Sequence, residues 1–277
     1  MEQSIVNNES RHFMTAKIFT IISGKGGVGT TTVSISLSSA LAGFAKKTLI
    51  IDTDVGMPAI GLMLGLDTSK ATLHDVLSGS AELKDAIYDG PNNLHVLPGS
   101  ISLHSFVNAN TQIIGDIVES VKDKYDFIIL DSPTGININS IHAISLADEI
   151  IQVMTPDIVS LAGAMKIKAI SENMEKPFRG VLLNRTGVTQ NELSRERIEG
   201  TLGLRILETI AEDNNVRNSL AFKAPVVIKY PGSLAAVSFN RQAAEIAGIK
   251  VPVADTFKEL KEPKKKGKRF SLSKNKN

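Results

Sequence analysis

The chain has 277 residues, of which 42% are hydrophobic and 22% charged, with a formal net charge of +2. That length suffices for one large α/β domain with a sizeable core, and no run of apolar residues is long enough to predict a membrane-spanning helix. There is no cysteine, which excludes disulfides, thiolate-held iron–sulfur clusters and cysteine nucleophiles, and the five histidines (His12, His74, His95, His104, His142) fall at no zinc-ligand spacing.

Residues 1–15 read as a short extension without the basic flank and apolar stretch of a secretory signal, so the chain is expected to stay in the cytoplasm. Residues 16–23 (AKIFTIIS) are apolar and β-branched and run into GKGGVGTTT; residues 33–45 then show helical apolar spacing. Short apolar runs recur at 48–51, 94–97, 127–130, 150–154 and 181–183, each ending at a polar or turn residue. Strands apolar on both faces belong to parallel sheets covered on both sides. Helical candidates lie between and after them, at 72–77, 111–122, 141–147, 159–175, 191–201, 215–221 and 233–247. The alternation predicts a doubly wound α/β fold, with a mostly parallel sheet and helices on both faces, as one domain over 16–256. Residues 257–277 hold nine Lys or Arg against Glu259 and Glu262. That tail carries +7 and leaves −5 on the other 256 residues, and its composition predicts disorder in isolation.

In such folds ligands bind at the carboxyl ends of the strands. Gly24-Lys25-Gly26-Gly27-Val28-Gly29-Thr30-Thr31-Thr32 follows the first strand and opens the first helix. Glycines let the backbone wrap an anion, and the helix N-terminus points N–H groups at it. The spacing is that of a phosphate loop, with Thr31 at the position of the Mg²⁺-binding hydroxyl. Thr30, however, stands where the phosphate-binding lysine is expected. A charge-assisted hydrogen bond is worth about 1.5–3 kcal/mol, so its loss predicts phosphate binding weaker by about 10- to 150-fold.

Two further strand ends carry carboxylates. Asp52 and Asp54, at i and i+2, are expected to point the same way in an extended chain, where they can hold a Mg²⁺-bound water or orient an attacking one. Asp131-Ser132-Pro133-Thr134-Gly135 follows 127–130, and Asp131 is placed to bond a Mg²⁺-bound water or the loop threonine. Asn184-Arg185 ends another apolar run, and an Asn amide offers both a donor and an acceptor to a base edge.

These segments together resemble the MinD/ParA family of ATPases. Gly24–Thr32 resembles that family's deviant phosphate loop, KGGxGKT[ST]; Asp131–Gly135 matches its D-x-P-x-G switch; residues 72–77 (TLHDVL) resemble a stretch of archaeal MinD-like proteins; and Leu97-Pro98-Gly99 matches L-P-[AG]. The resemblance implies a P-loop NTPase fold, binding of ATP and Mg²⁺, and a homodimer formed on ATP, in which Lys25 reaches the partner's nucleotide. It assigns base contacts to Asn184 and Asp213, a nucleotide contact to Arg185, Mg²⁺ contacts to Thr31, Asp54 and Asp131, and catalytic roles to Lys25 and Asp54. It implies positional work such as division-site placement. Three departures fall on nucleotide-contacting positions: Thr30 for lysine, Ala59 for a water-positioning Asn, and Ala211 for the proline of P-x-D. They predict slow hydrolysis, or a scaffold of the same fold that has lost turnover. An amidoligase on this fold would need an acid–base cluster, which the sequence lacks. The tail's charge fits weak contact with anionic membrane and equally a solubilising or nucleic-acid-touching segment, while the acidic body disfavours nucleic acid.

Overall fold

The computed structural model describes residues 15–102 and 109–250. The basic tail, the last residues expected for the domain and nearly all of the N-terminal extension lie outside the described residues. In chain order the elements are β1 (Lys17–Ile22), α1 (Thr30–Gly43), β2 (Thr48–Asp52), α2 (Ile60–Leu64), α3 (Leu73–Leu77), α4 (Leu83–Ala86), β3 (Tyr88–Asp89), β4 (His95–Leu97), α5 (Ile114–Val121), β5 (Phe127–Asp131), α6 (Ile138–Leu146), β6 (Glu149–Met154), α7 (Ile158–Asn173), β7 (Phe178–Thr186), α8 (Arg195–Leu202), β8 (Ile206–Ala211), α9 (Asn214–Ala221), α10 (Val226–Lys229) and α11 (Leu234–Ile246).

The strands form one sheet in the order β3-β4-β2-β5-β1-β6-β7-β8. All pairings are parallel except the short β3–β4 edge. The central strands alternate between two apolar layers. Phe19, Ile21, Ile50 and Ile129 pack with residues of α1 and α11 on one face. Leu49, Ile51, Ile128 and Leu130 pack with residues of α3 and α5 on the other. Burial on both faces removes the polar alternation of a one-sided sheet.

The chain works outward from β1 in both directions, so the order reverses beside it. Ligands bind in the crevice at such a switch point. Register sets what stands there: Asp131 at the end of β5 pairs with Ile21 of β1 and with Asp52 of β2. Three strand ends thus deliver the glycine loop and two carboxylates to one edge.

Some elements differ from the sequence expectation. β8 and the β3 edge were not predicted. Glu208 and Thr209 interrupt the apolar run of β8, because an edge strand keeps part of its surface at solvent. The helix expected at 191–201 begins at Arg195, where the Ser194 hydroxyl accepts from the Arg197 N–H and caps it.

Candidate functional site

The loop between β1 and α1 turns on two left-handed glycines, Gly27 (φ 77°) and Gly29 (φ 93°). No side chain caps α1, so its first-turn N–H groups are available to an anion. Asn184, at the end of β7, donates its amide to the Val28 carbonyl at 2.8 Å. A Cβ on Gly29 would lie 2.7 Å from that amide nitrogen. Glycine at 29 is therefore required by the turn and by the clasp across it.

Thr30 is 4% exposed. Its hydroxyl donates to Ser23 Oγ at 2.8 Å, and Ser23 donates to the Lys25 carbonyl at 3.1 Å. The residue at the lysine position thus ties the start of α1 back to the end of β1. Thr31 stands close enough to the Asp131 carboxylate to favour its charged form. Ser34, one turn further along α1, donates to Asp131 Oδ1 at 2.7 Å. Burial raises the Asp131 carboxyl to about 7, partly offset by the Ser34 and Thr31 hydroxyls and reinforced by Asp54.

Asp52 and Asp54 sit in different settings. Strand β2 ends at Asp52, which is wholly buried. Its Oδ2 accepts the Ala59 and Ile60 N–H groups, each at 3.0 Å, and closes the following loop onto α2. Burial first, and the facing Asp131 second, push the Asp52 carboxyl well above the usual range. Asp54 lies in the loop, partly exposed, and accepts the Met57 N–H.

Among the described residues no three His, Cys, Asp or Glu side chains form a metal cage. A Mg²⁺ ion on a nucleotide needs only one or two protein ligands besides phosphates and waters. The donor set fits that need: the Asp131 carboxylate lies beside the Thr31 hydroxyl, and buried Asp52 Oδ1 has no hydrogen-bond partner.

Beyond the loop lies a cavity of about 240 Å³ lined by Gly27, Gly29, Thr32, Asn184, Arg185, Ala211, Glu212 and Asp213 among others. Arg185 donates from Nε to Glu212 at 2.7 Å and from Nη1 to the Gly27 carbonyl at 3.3 Å. Asp213 accepts from the Asn215 N–H and the Ala235 N–H, so its carboxylate joins α9 to α11 while lining the cavity. Gly24, Gly26 and exposed Gly27 form the outer arm of the loop.

Lys25 leaves that arm and pairs with Asp157, the N-cap of α7, at 3.0 Å. Partial burial pushes the Asp157 carboxyl up. The Thr155 hydroxyl, the Ser160 N–H and Lys25 together outweigh this and hold it at about 2. The pair is brought together by an apposition of bare backbone: a Cβ on Gly24 would lie 2.3 Å from the Gly163 backbone in α7. Sequence reasoning missed Ser23, Ser34, Asp157, Gly163 and Glu212. Only Asp157 had a local signal, as an Asp after Pro156 opening an apolar helical run.

A glycine loop at an uncapped helix start, beside two buried strand-end carboxylates, defines the class: a P-loop nucleoside-triphosphate-binding α/β protein. Residues 16–182 match a family model described as an AAA domain. An uncharacterized ATP-binding protein of Methanocaldococcus jannaschii is 37% identical over 88% of this chain and 93% of its own. The cell division ATPase MinD of Pyrococcus furiosus superposes with a TM-score of 0.81 at 35% identity, over 84% of this chain and 99% of that one. The septum site-determining protein MinD of Pyrococcus horikoshii, solved with Mg-ADP, gives 0.80 at 34% identity, over 83% and 96%. The chain belongs to the MinD/ParA family of ATPases.

Proposed function

We propose that this protein is a MinD-like ATP switch. ATP and Mg²⁺ bind at Gly26–Thr32, the bound state pairs two subunits through Lys25, and the paired state serves spatial regulation such as division-site placement. The observation that carries this reading is the loop itself: left-handed Gly27 and Gly29, clasped by Asn184, leading into a helix α1 whose Ser34 bonds Asp131. Thr31 and Asp131 would hold Mg²⁺, with Asp54 on the adjoining loop; the ion supplies charge neutralisation between the phosphates. The cavity at Asn184, Arg185 and Asp213 would take the base. One N–H of the Asn184 amide donates to Val28, which leaves the second N–H to donate and the carbonyl oxygen to accept from an amino group of the base.

Hydrolysis is slow in this reading, because Thr30 brings a buried hydroxyl where an ammonium would stabilise developing charge. The same observation supports a second reading, a scaffold that binds partners without turnover. Titration calorimetry with Mg-ATP separates them from a protein without nucleotide: no heat overturns both the switch and the site. Sedimentation with Mg-ATP then tests pairing, and phosphate release tests turnover. For residues 257–277 and their +7, attraction of about 1 kcal/mol per basic residue near an anionic surface supports a weak, salt-sensitive contact. Co-sedimentation with anionic vesicles, lost in high salt, checks it. Among the described residues no helix is long and apolar enough to cross a membrane.

A further inference from the structure

We propose that His74 is a positioning residue of the nucleotide site: its ring fastens the loop that carries Asp54 to segment 98–100, and so fixes where Asp54 stands. The inference rests on the nucleotide-switch reading for its consequence, but the tie itself is independent of that reading.

Helix α3 is short and held by its start. Asp75 Oδ2 accepts from both the Thr72 N–H and the Thr72 hydroxyl, so its carboxylate reaches back over the helix start. The Leu73 N–H donates to the Pro98 carbonyl at 2.8 Å. His74 is therefore carried between two loops, at 0% exposure. The Ser100 N–H lies 2.9 Å from His74 Nδ1. A backbone N–H can only donate, so Nδ1 is the bare nitrogen and the proton sits on Nε2. Nε2 in turn donates to the Val55 carbonyl at 2.9 Å. Burial pulls the imidazole below its ordinary value, which keeps this neutral form.

Val55 is the residue after Asp54. Its side chain packs in the same apolar layer as Leu73 and Leu77, so the ring hydrogen bond adds a directional tie to a buried anchor. The rest of the loop is fixed by carboxylates: Asp52 holds the Ala59 and Ile60 N–H groups, and Asp54 holds the Met57 N–H. Gly99 closes the arrangement, since a Cβ there would lie 2.5 Å from Pro58 Cβ and 3.3 Å from His74 Cε1. An apolar residue at 74 would leave two backbone groups, Val55 C=O and Ser100 N–H, without partners inside the protein. The ring spends both nitrogens on loops that flank the site and none on solvent.

Two variants of the full chain separate the two bonds. A Gln amide reaches the position of Nε2 and an Asn amide that of Nδ1. His74→Gln is expected to keep the Val55 tie, and His74→Asn to keep only the Ser100 tie. Hydrogen exchange without nucleotide should accelerate about tenfold at Met57, Ala59 and Ile60 in His74→Asn, with His74→Gln close to the parent there. Fluorescent-ATP titrations, with and without Mg²⁺, supply the functional readout. His74→Asn should lose about tenfold of the Mg²⁺-dependent gain in affinity while Mg²⁺-free binding is unchanged, and His74→Gln should restore the gain. Equal exchange at Met57, Ala59 and Ile60 in parent and His74→Asn overturns the proposal. So does a parallel loss of Mg²⁺-free and Mg²⁺-dependent binding. If the parent binds no nucleotide under either condition, the switch reading fails, and exchange alone decides the tie. If a variant does not fold, nitrogen NMR of the parent ring decides: a proton on Nδ1 overturns the tie, and a bare Nδ1 with protonated Nε2 supports it.

Discussion

Lys25 Nζ lies 3.0 Å from Asp157 Oδ2, across an apposition of Gly24 on Gly163 that admits no side chain. A lysine held against its own α7 is not reaching toward a second subunit. In the proposed switch this pair must open before the dimer closes. Both side chains are more than a third exposed, at 37% and 38%, so screening leaves the pair worth at most about 1 kcal/mol. Asp157→Asn keeps a good N-cap for α7 and removes the charge. Two such pairs open per dimer, one in each subunit, so sedimentation with Mg-ATP is expected to show up to about 25-fold tighter pairing. A weaker dimer would instead mean that Asp157 itself contributes to the interface. The depressed Asp157 value gives stability that is full above the unfolded carboxyl value, about 3.9, and lost as pH falls toward about 2. Acid below that window is therefore needed to open the latch by protonation.

Thr30→Lys tests the missing ammonium. The substitution removes the hydrogen bond to Ser23 and sends a longer side chain out of a position that is 4% exposed. If the chain can follow the loop to the phosphates, affinity for Mg-ATP should rise by about 10- to 150-fold, and phosphate release should rise with it. A gain in affinity without turnover would place the limiting defect elsewhere, with Ala59 the next position to restore. Thr30→Val is the control. It removes only the hydroxyl and should cost about 1 kcal/mol of stability, read from thermal unfolding without nucleotide.

Asp131 makes the nucleotide-free protein sensitive to pH. Its folded value is about 7, against about 3.9 for an unfolded Asp. Between those values the folded chain holds more protons than the unfolded one, so stability falls as pH rises through the window. Each tenfold difference in proton affinity between the two states corresponds to about 1.4 kcal/mol. Asp131→Asn keeps an acceptor for Ser34 and Thr31 and deletes the charge facing Asp52. Without Mg²⁺ its melting temperature should exceed the parent's at pH 8 and match it near pH 4. Some slope should survive, because Asp52 is itself raised by burial. The same variant should lose the Mg²⁺-dependent part of nucleotide affinity. A parent whose stability climbs from pH 4 to 7 would contradict the account.

The central strands and the loop were legible because their signals are local. Ile50 and Ile129 sit in runs buried on both faces, and the spacing Gly24–Gly29 belongs to the turn itself. β8 was not legible, because Glu208 pairs with Arg241 at the sheet edge and breaks the apolar run. Ser34, Gly163 and Asp157 act on partners far away in sequence, and no local pattern announces a contact such as Lys25–Asp157 across 132 positions. The separate settings of Asp52 and Asp54 have a different cause. Alternation holds only while the strand lasts, and β2 stops at Asp52.

The three inner glycines of the loop should respond to alanine in graded fashion, because they face different constraints. A Cβ on Gly26 meets only Thr134 Oγ1, at an ordinary 3.8 Å, so Gly26→Ala should leave the nucleotide-free protein close to the parent. Gly27 has φ 77° with open space around a built Cβ, so its substitution carries strain alone, about 1–2 kcal/mol. Gly29 combines φ 93° with a 2.7 Å approach to Asn184 Nδ2. Alanine there must also push Asn184 off the Val28 carbonyl, adding about 1–3 kcal/mol for the group left unpaired. Thermal unfolding should therefore rank the variants Gly26, Gly27, Gly29 in order of increasing loss. Calorimetry should rank them differently: if the loop backbone closes on a phosphate, Gly26→Ala loses affinity despite its intact stability, because its methyl group intrudes where the anion approaches. Equal affinity for Gly26→Ala and parent would mean that the anion does not press on this arm of the loop.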